Sequence, residues 1–286
     1  MGMTTRIPLR LRARIPLRLR ASIAAAVASC ALAWVACVQV ARADDEEAAR
    51  SARWAQVQRA VFADRQVLDG ASVLQLEAPA RALDPALVPL TITMTGDKPV
   101  QGVYVVIDNN PAPMAGHFVF GPAADPRTLK VRVRVDQYTD IHAIAEGADG
   151  KLYAVAKFVK ASGGCSAPAG AEEAREIGQM KLHLSDAFTA GKPMQAQLMI
   201  RHPNFNGMQM DQLTRYYTPA HFIRTIDVTY GGGKVLHIDS DISLSTDPVI
   251  SFGFVPRAKG QLKIAVRDSK DQSFERSFDV GAADGG

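Results

Sequence analysis

The stretch Val131-Arg132-Val133-Arg134-Val135-Asp136 alternates between β-branched and charged side chains. Successive side chains of a β-strand point to opposite faces of a sheet. The alternation therefore predicts a half-buried strand, with the valines facing a core and the arginines and the aspartate facing water.

Short apolar runs separated by turn residues lie on both sides of this stretch. Val103–Ile107 is strongly β-branched, and Ile141–Glu146 and Leu152–Val159 flank the turn Gly147-Ala148-Asp149-Gly150, which predicts a hairpin. About seven strands at this spacing predict an antiparallel β-sandwich of immunoglobulin-like shape over residues 50–162.

An amphipathic helix is predicted at the start of this domain, over residues 50–69. Trp54, Val57 and Val61 fall near helical spacing, and Gly70 follows as the residue that ends the helix. We expect the apolar side of this helix to pack on the sheet.

The second half of the chain repeats the strand-rich pattern. Met180–Leu184, Met194–His202 and Ile226–Tyr230 are predicted strands, and Gly231-Gly232-Gly233 is predicted to form a tight hairpin turn. A second small antiparallel sandwich is expected over residues 180–283. The predicted fold class is therefore all-β, with two immunoglobulin-like antiparallel β-sandwich domains and an N-terminal helix on the first.

The N-terminal residues 1–43 are typical of a secretory signal peptide. A basic segment precedes the apolar run Ile23–Val40, and Ala41-Arg42-Ala43 provides a cleavage site of the A-x-A type. Export to the periplasm is the expectation. An uncleaved membrane anchor and lipidation at Cys37 are the alternatives.

Removal of the signal peptide changes the charge of the chain. Residues 1–43 contain seven arginines and no acidic residue, so 26 basic and 29 acidic side chains remain. The basic character of the whole chain belongs to the targeting segment and does not indicate a nucleic-acid partner. No stable membrane insertion is expected after cleavage.

Cys165 is the one cysteine outside the predicted signal peptide. It lies in a predicted flexible linker, residues 163–179. Gly163 and Gly164 precede it, and no side chain in the stretch Ala161–Gly170 is large enough to build a core. An unpaired thiol in an exported protein suggests a reactive group or an intermolecular bond. A short helix beginning at Ala171 would favour the thiolate of Cys165.

Other chemistry has weaker support in the sequence. Thioether and imidazole side chains suit Cu(I), and His202, Met208, Met210 and His221 lie within one region, so a metal-handling protein is one alternative. The sequence contains no zinc-protease motif and no nucleophile elbow. We therefore predict a carrier or binding protein, not an enzyme, with no metal and no cofactor.

Several motifs of the first half resemble SoxY, the thiol-bearing subunit of the bacterial sulfur-oxidation carrier. They are Leu76-Glu77-Ala78-Pro79, Val88-Pro89-Leu90, Asn110-Pro111-Ala112-Pro113, the Arg132–Tyr138 strand, Asp149-Gly150-Lys151-Leu152-Tyr153 and Gly163-Gly164-Cys165. Motifs of the second half resemble the partner subunit SoxZ. They are Ile200-Arg201-His202-Pro203, Pro219-Ala220-His221-Phe222-Ile223 and Asp247-Pro248 with the Val249–Phe254 strand.

The single-chain order is similar to the SoxYZ-like carriers associated with quinoprotein dehydrogenases. The resemblance implies a periplasmic carrier that holds sulfur intermediates, as thiosulfonate or persulfide, on Cys165 and presents them to sulfur-oxidation enzymes. Gly163 and Gly164 would form its flexible arm. The alternative is a non-covalent adaptor for a periplasmic quinoprotein dehydrogenase or cytochrome c system, in which the thiol is dispensable.

One departure from SoxY concerns the arm. The SoxY motif reads Gly-Gly-Cys-Gly-Gly and ends the chain, whereas Cys165 is followed here by Ser166-Ala167-Pro168 and a further domain. An internal arm must enter a partner as a doubled loop. Residues 166–177 can span about 40 Å at ~3.3 Å per residue, which is long enough for such an excursion.

Overall fold

The computed structural model describes residues 45–167, 176–185, 187–210 and 214–281. The predicted signal peptide and residues 168–175 of the predicted linker lie outside the described residues. The chain divides into two units, one ending at Ala52 and the other running from Arg53 to Gly286. Within the described ranges, none of the helices has the length and apolar character that a membrane span requires.

Helix α1 occupies residues 45–62 and is followed by fifteen strands in the described part of the chain. The strands are β1 Val67–Asp69, β2 Leu74–Glu77, β3 Val88–Met94, β4 Val100–Ile107, β5 Met114–Phe120, β6 Ala124–Val133, β7 Thr139–Gly147, β8 Leu152–Val159, β9 Met180–Leu184, β10 Met194–Ile200, β11 Ile223–Tyr230, β12 Gly233–Ser240, β13 Val249–Phe254, β14 Gly260–Asp268 and β15 Ser273–Val280.

The strands form two sheets whose buried faces share one hydrophobic core. One sheet has nine strands in the order β1-β8-β7-β4-β5-β12-β11-β14-β15, and the other has six in the order β2-β3-β6-β13-β10-β9. Neighbouring strands are antiparallel except β1 and β8, which are parallel. The predicted all-β sandwich class with an N-terminal helix is confirmed.

The two halves of the chain share both sheets. Strand β5 of the first half pairs with β12 of the second, with Phe118 opposite Ile238, and β6 pairs with β13 in the other sheet. Because these pairs join the halves by backbone hydrogen bonds, the sandwich is continuous from one half to the other. The predicted domain boundaries, 50–162 and 180–283, stay a prediction, since one unit contains both halves.

Helix α1 ends earlier than the sequence predicts. The backbone of Ala63 adopts a left-handed conformation, with φ at 52°, and its N–H donates to the carbonyl oxygen of Arg59. A left-handed residue is a common way for a helix to end. The prediction of helix through residue 69 is therefore wrong, and Val67–Asp69 forms the edge strand β1 instead.

The helical residues after Ala52 pack on the outer face of the nine-stranded sheet. Val57 and Phe62 are buried against Ile144 and Leu152, and the ring of Trp54 stacks on His142 with centroids 3.7 Å apart. This packing covers the part of the sheet contributed by the first half.

Candidate functional site

The predicted carrier residue lies in a short segment, residues 161–167, which we call the arm. The arm follows β8, whose end is held to the loop 78–87: the N–H of Ala82 donates to the carbonyl oxygen of Lys160 at 3.1 Å. The N–H of Gly163 then donates to the carbonyl oxygen of Asp136 at 2.8 Å, and that of Gly164 to the carbonyl oxygen of Val135 at 3.0 Å. The described residues of the arm are therefore docked on the first half.

The two glycines allow this close docking. Gly163 has a φ of +80°, a conformation that favours glycine. A Cβ atom on Gly164 would lie 2.1 Å from the carbonyl oxygen of Pro85 and 2.6 Å from that of Val135. The absence of a side chain at Gly164 therefore allows the backbone of the arm to approach the backbone of Pro85 and Val135 closely. This role is additional to the flexibility that the sequence suggested.

Cys165 is fully buried, with 0% of its surface exposed. Burial, together with the negative charge of Asp136, raises the pKa of its thiol from 9.0 to about 11, although Arg134 and a hydrogen bond from Asn206 act in the opposite direction. The sequence led us to expect an exposed thiol with a favoured thiolate. The structure differs because loops far away in sequence cover the arm.

One of these loops, residues 201–222, which the structure describes at 201–210 and 214–222, comes from the second half. The side-chain Nδ2 of Asn206 donates to the carbonyl oxygen of Cys165 at 2.7 Å. Asn206 is itself held by the side chain of Gln209, whose Oε1 accepts the Asn206 backbone N–H at 3.0 Å. Both side chains are buried. Cys165 therefore lies where the two halves meet.

Arg134 fixes this loop to the first half. Its Nη1 donates to the carbonyl oxygens of Asn204 at 2.6 Å and Leu244 at 2.8 Å, and its Nη2 contacts Thr246 Oγ1. Arg134 is 2% exposed. The prediction that this arginine faces water is therefore wrong, because Asn204, Leu244 and Thr246 of the other half surround its guanidinium group.

The loop 201–222 also contains a buried histidine pair. Among the described residues, His202, His221 and Asp268 each offer a potential ligand atom, and these atoms lie within 4.8 Å of one another. Both histidines were among the residues that the sequence suggested for a copper site. Sequence reasoning missed Asp268, which lies 47 residues after His221 at the end of β14. Proximity to a distant strand end leaves no local sequence signal.

Hydrogen bonds occupy most polar atoms of this cluster, although Nε2 of His202 has no hydrogen-bond partner among the described residues and lies 3.5 Å from Oδ2 of Asp268. Nδ1 of His202 accepts the backbone N–H of Asn204 at 3.1 Å, so the neutral ring carries its proton on Nε2, which faces Asp268. Burial and the neighbouring His221 lower the pKa of His202 to about 4. Burial alone would raise the pKa of Asp268, but hydrogen bonds from His221 and two backbone N–H groups outweigh it and lower this pKa.

With its ring neutral, His202 carries a proton on Nε2, which lies 3.5 Å from Oδ2 of Asp268, whereas Nε2 of His221 lies 2.7 Å from the same oxygen and is hydrogen-bonded to it. A metal would require a lone pair on the nitrogen that carries this proton. The cluster is therefore best described as a buried hydrogen-bonded support for the loop, and the absence of a metal stays a prediction.

Large apolar side chains are exposed on loops in which other residues, Pro85, Val135, Asp136 and Asn206, contact the arm. Every such exposed side chain in the described part of the chain lies on one of three loops that contact the arm: 78–87, 134–138 and 201–222. We call this set the apolar rim: Leu83, Leu87, Tyr138, Tyr216 and Tyr217. Clustered exposed apolar residues mark interaction surfaces more often than scattered ones do.

The sequence matches two protein-family models in tandem. Residues 58–165 match the model for the sulfur oxidation protein SoxY, and residues 182–279 match that for the sulphur oxidation protein SoxZ. No curated protein matched the sequence.

Two solved structures are among those that match part of this chain. The sulfur carrier protein SoxY from Chlorobium limicola f thiosulfatophilum is 22% identical with a TM-score of 0.35, over 41% of this chain and 98% of that chain. A beta-glycosidase from Bacteroides vulgatus is 11% identical with a TM-score of 0.23, over 72% of this chain and 24% of that chain.

Proposed function

Because this chain belongs to the SoxY and SoxZ families of sulfur-oxidation proteins, joined in that order in one polypeptide, we propose that it is a carrier. It holds sulfur intermediates covalently on the thiol of Cys165 and presents them to partner enzymes. In this proposal the chain is not itself the catalyst. Its cargo is a thiosulfonate or a persulfide.

The observation that carries the proposal is the position of Cys165. The region matched by the SoxY model ends at residue 165, which is the one cysteine outside residues 1–43. With no second thiol in the processed chain, an S–S conjugate on Cys165 cannot be resolved internally into a disulfide. Such a conjugate lasts until another molecule accepts the cargo.

A persulfide cargo can be loaded by ordinary thiol exchange. The thiolate of Cys165 attacks the outer sulfur of a donor persulfide, a new S–S bond forms, and the donor leaves as a thiolate after its own S–S bond breaks. No electrons are gained or lost in this step. Because the thiolate is the nucleophile and the docked thiol has a raised pKa, transfer is expected from an undocked arm.

The apolar rim supports the presentation of cargo to other proteins. A protein that reacts with Cys165 must approach the three loops that cover the arm, and these loops carry the rim. Tyrosines such as Tyr216 and Tyr217 are enriched at protein interfaces because they bury a large apolar area and retain a polar group. We propose that sulfur-oxidation enzymes are the proteins that bind there.

The proposed compartment is the periplasm, reached through the signal peptide of residues 1–43. An oxidising compartment suits a single carrier thiol, because a neighbouring cysteine there would trap it as a disulfide.

Substitution of Cys165 tests the carrier proposal. In the native host, Cys165→Ser removes the nucleophile with little change in volume, and we expect oxidation of reduced sulfur compounds that depends on this protein to be lost. The matched control is Cys30→Ser combined with Cys37→Ser, which changes cysteines that the proposal does not use and should leave oxidation intact. Full oxidation with Cys165→Ser would overturn the proposal.

A further inference from the structure

We infer that Asn206, from the second half, is the latch that holds Cys165 in its docked position. The accessible form of the thiol then requires the hydrogen bond between Asn206 and Cys165 to break. The purpose of this latch rests on the proposed carrier function, whereas its effect on the thiol can be measured without any cargo.

The contacts of the arm single out this bond. Two backbone hydrogen bonds, from Gly163 and Gly164, hold the arm to the first half before the thiol is reached. Among the described hydrogen bonds to the arm from outside it, that of Asn206 is the one made to Cys165 itself and the one that comes from the second half. It therefore controls the position of the residue that carries the thiol.

The neighbours of Asn206 fix which end of its amide faces the arm. Its Oδ1 accepts the backbone N–H of Met208 at 2.9 Å, so Nδ2 must point the other way, towards the carbonyl oxygen of Cys165. The bond from Asn206 N–H to Gln209 Oε1 holds the backbone at the same place. Contacts within its own loop therefore orient the amide of Asn206 as a donor towards the arm.

Docking and thiol reactivity are linked. The docked thiol is buried and its pKa is raised to about 11, so thiolate formation favours the undocked arm. Loss of a buried hydrogen bond that leaves a carbonyl unsatisfied should raise the undocked population roughly 10- to 100-fold. The observed reactivity of the thiol should rise by the same factor.

Alkylation of Cys165 by iodoacetamide tests the latch in the full chain. Peptide mapping by mass spectrometry reports the rate at Cys165 separately from the other cysteines. The informative variant is Asn206→Asp, which keeps an oxygen for the Met208 N–H and replaces the donor to Cys165 with an acceptor. We expect alkylation at neutral pH to be roughly 10- to 100-fold faster than in the wild type, and the midpoint of its pH profile to lie below that of the wild type.

Two control variants separate the latch from general loosening. Gln209→Ala removes the support of the Asn206 backbone but keeps its Nδ2, and Asn109→Ala removes a comparable bond from an asparagine Nδ2 to the carbonyl oxygen of Tyr138. Both should alter the alkylation rate less than Asn206→Asp does. Thermal unfolding of each variant identifies any that fail to fold. If Asn206→Asp does not fold, Asn206→Ala takes its place in the comparison.

An unchanged rate and pH profile in folded Asn206→Asp would overturn the latch. So would a wild-type Cys165 that reacts as fast as a free cysteine. Neither result bears on the carrier proposal, which the Cys165→Ser experiment in cells decides separately.

Discussion

Nη1 of Arg134, from the first half of the chain, donates a hydrogen bond to the carbonyl oxygen of Asn204, in the second half, at 2.6 Å. The interaction is buried, and Asn204 uses its own side chain to bind Ser245 and Ile223. A charged side chain of one half thus organises the loop of the other half that covers Cys165.

Replacement of this arginine should destabilise the fold. Arg134→Met leaves several carbonyl oxygens without their donor, and we expect the free energy of unfolding to fall by about 3 kcal/mol or more. Urea denaturation measures the change. Arg132→Met is the matched control, because Arg132 lies two residues away with an exposed side chain, and it should alter stability by less than about 0.5 kcal/mol. Equal losses for both variants would contradict the role of Arg134.

Addition of a methyl group at Gly164 should expel the arm. The new Cβ would lie 2.1 Å from the carbonyl oxygen of Pro85, a contact that the rigid backbone cannot relieve. We expect Gly164→Ala to raise the alkylation rate of Cys165. Gly150→Ala is the control, because it carries the strain of a positive φ with open space around it. If Gly164→Ala leaves the thiol protected, the docked geometry is wrong.

The pH dependence of docking follows from the thiol pKa. The docked pKa is about 11 and the ordinary value is 9.0, so both forms are protonated at neutral pH and docking is unaffected there. Between these values the undocked arm loses its proton first, and the undocked fraction should rise up to about tenfold per pH unit. Docking is therefore lost as the pH rises.

Limited proteolysis measures this change, because a docked arm is protected from cleavage and an undocked arm is not. Cys165→Ser lacks the titrating group and should show no such loss of protection between pH 9.0 and about 11. An identical pH profile for both proteins would exclude the thiol as the cause.

The apolar rim should matter for transfer between proteins and not for small-molecule chemistry. The double substitution Tyr216→Ser and Tyr217→Ser removes exposed apolar area, and we expect slower loading of Cys165 by partner enzymes. Alkylation of Cys165 by iodoacetamide should stay within about twofold of the wild type, since the arm contacts are retained. Gln261→Ser, an exposed change on β14, is the control. Unchanged enzymatic loading in the double variant would contradict a role for the rim.

Local patterns predicted much of the fold. The alternation of valines in Val131–Val135 and the β-branched run Val103–Ile107 predicted strands that the structure contains or closely overlaps. The prediction of helix at residues 67–69 was wrong. Their apolar spacing continues the helical pattern, but they pair with β8 and form a strand. That pairing is a tertiary contact, which spacing along the chain does not report.

The site was harder to predict than the strands. Sequence reasoning selected Cys165, Gly163 and Gly164, because a thiol among small residues is visible locally. It missed the burial of Cys165 and the roles of Arg134 and Asn206. Asn206 is 41 residues from Cys165, and Arg134 reaches Asn204 across 70 residues. These contacts exist because the two halves share both sheets. The sequence patterns predicted two separate sandwiches and gave no sign of this sharing.

Intact mass spectrometry of protein isolated from its native periplasm tests whether Cys165 carries sulfur cargo. We expect a fraction of molecules to carry the added mass of one or more sulfur atoms, or of a thiosulfonate. Peptide mapping should locate this mass at Cys165, and a reducing agent should remove it. If Cys165 is a free thiol during active sulfur oxidation, or forms only a disulfide between two copies, it is not the carrier of the cargo.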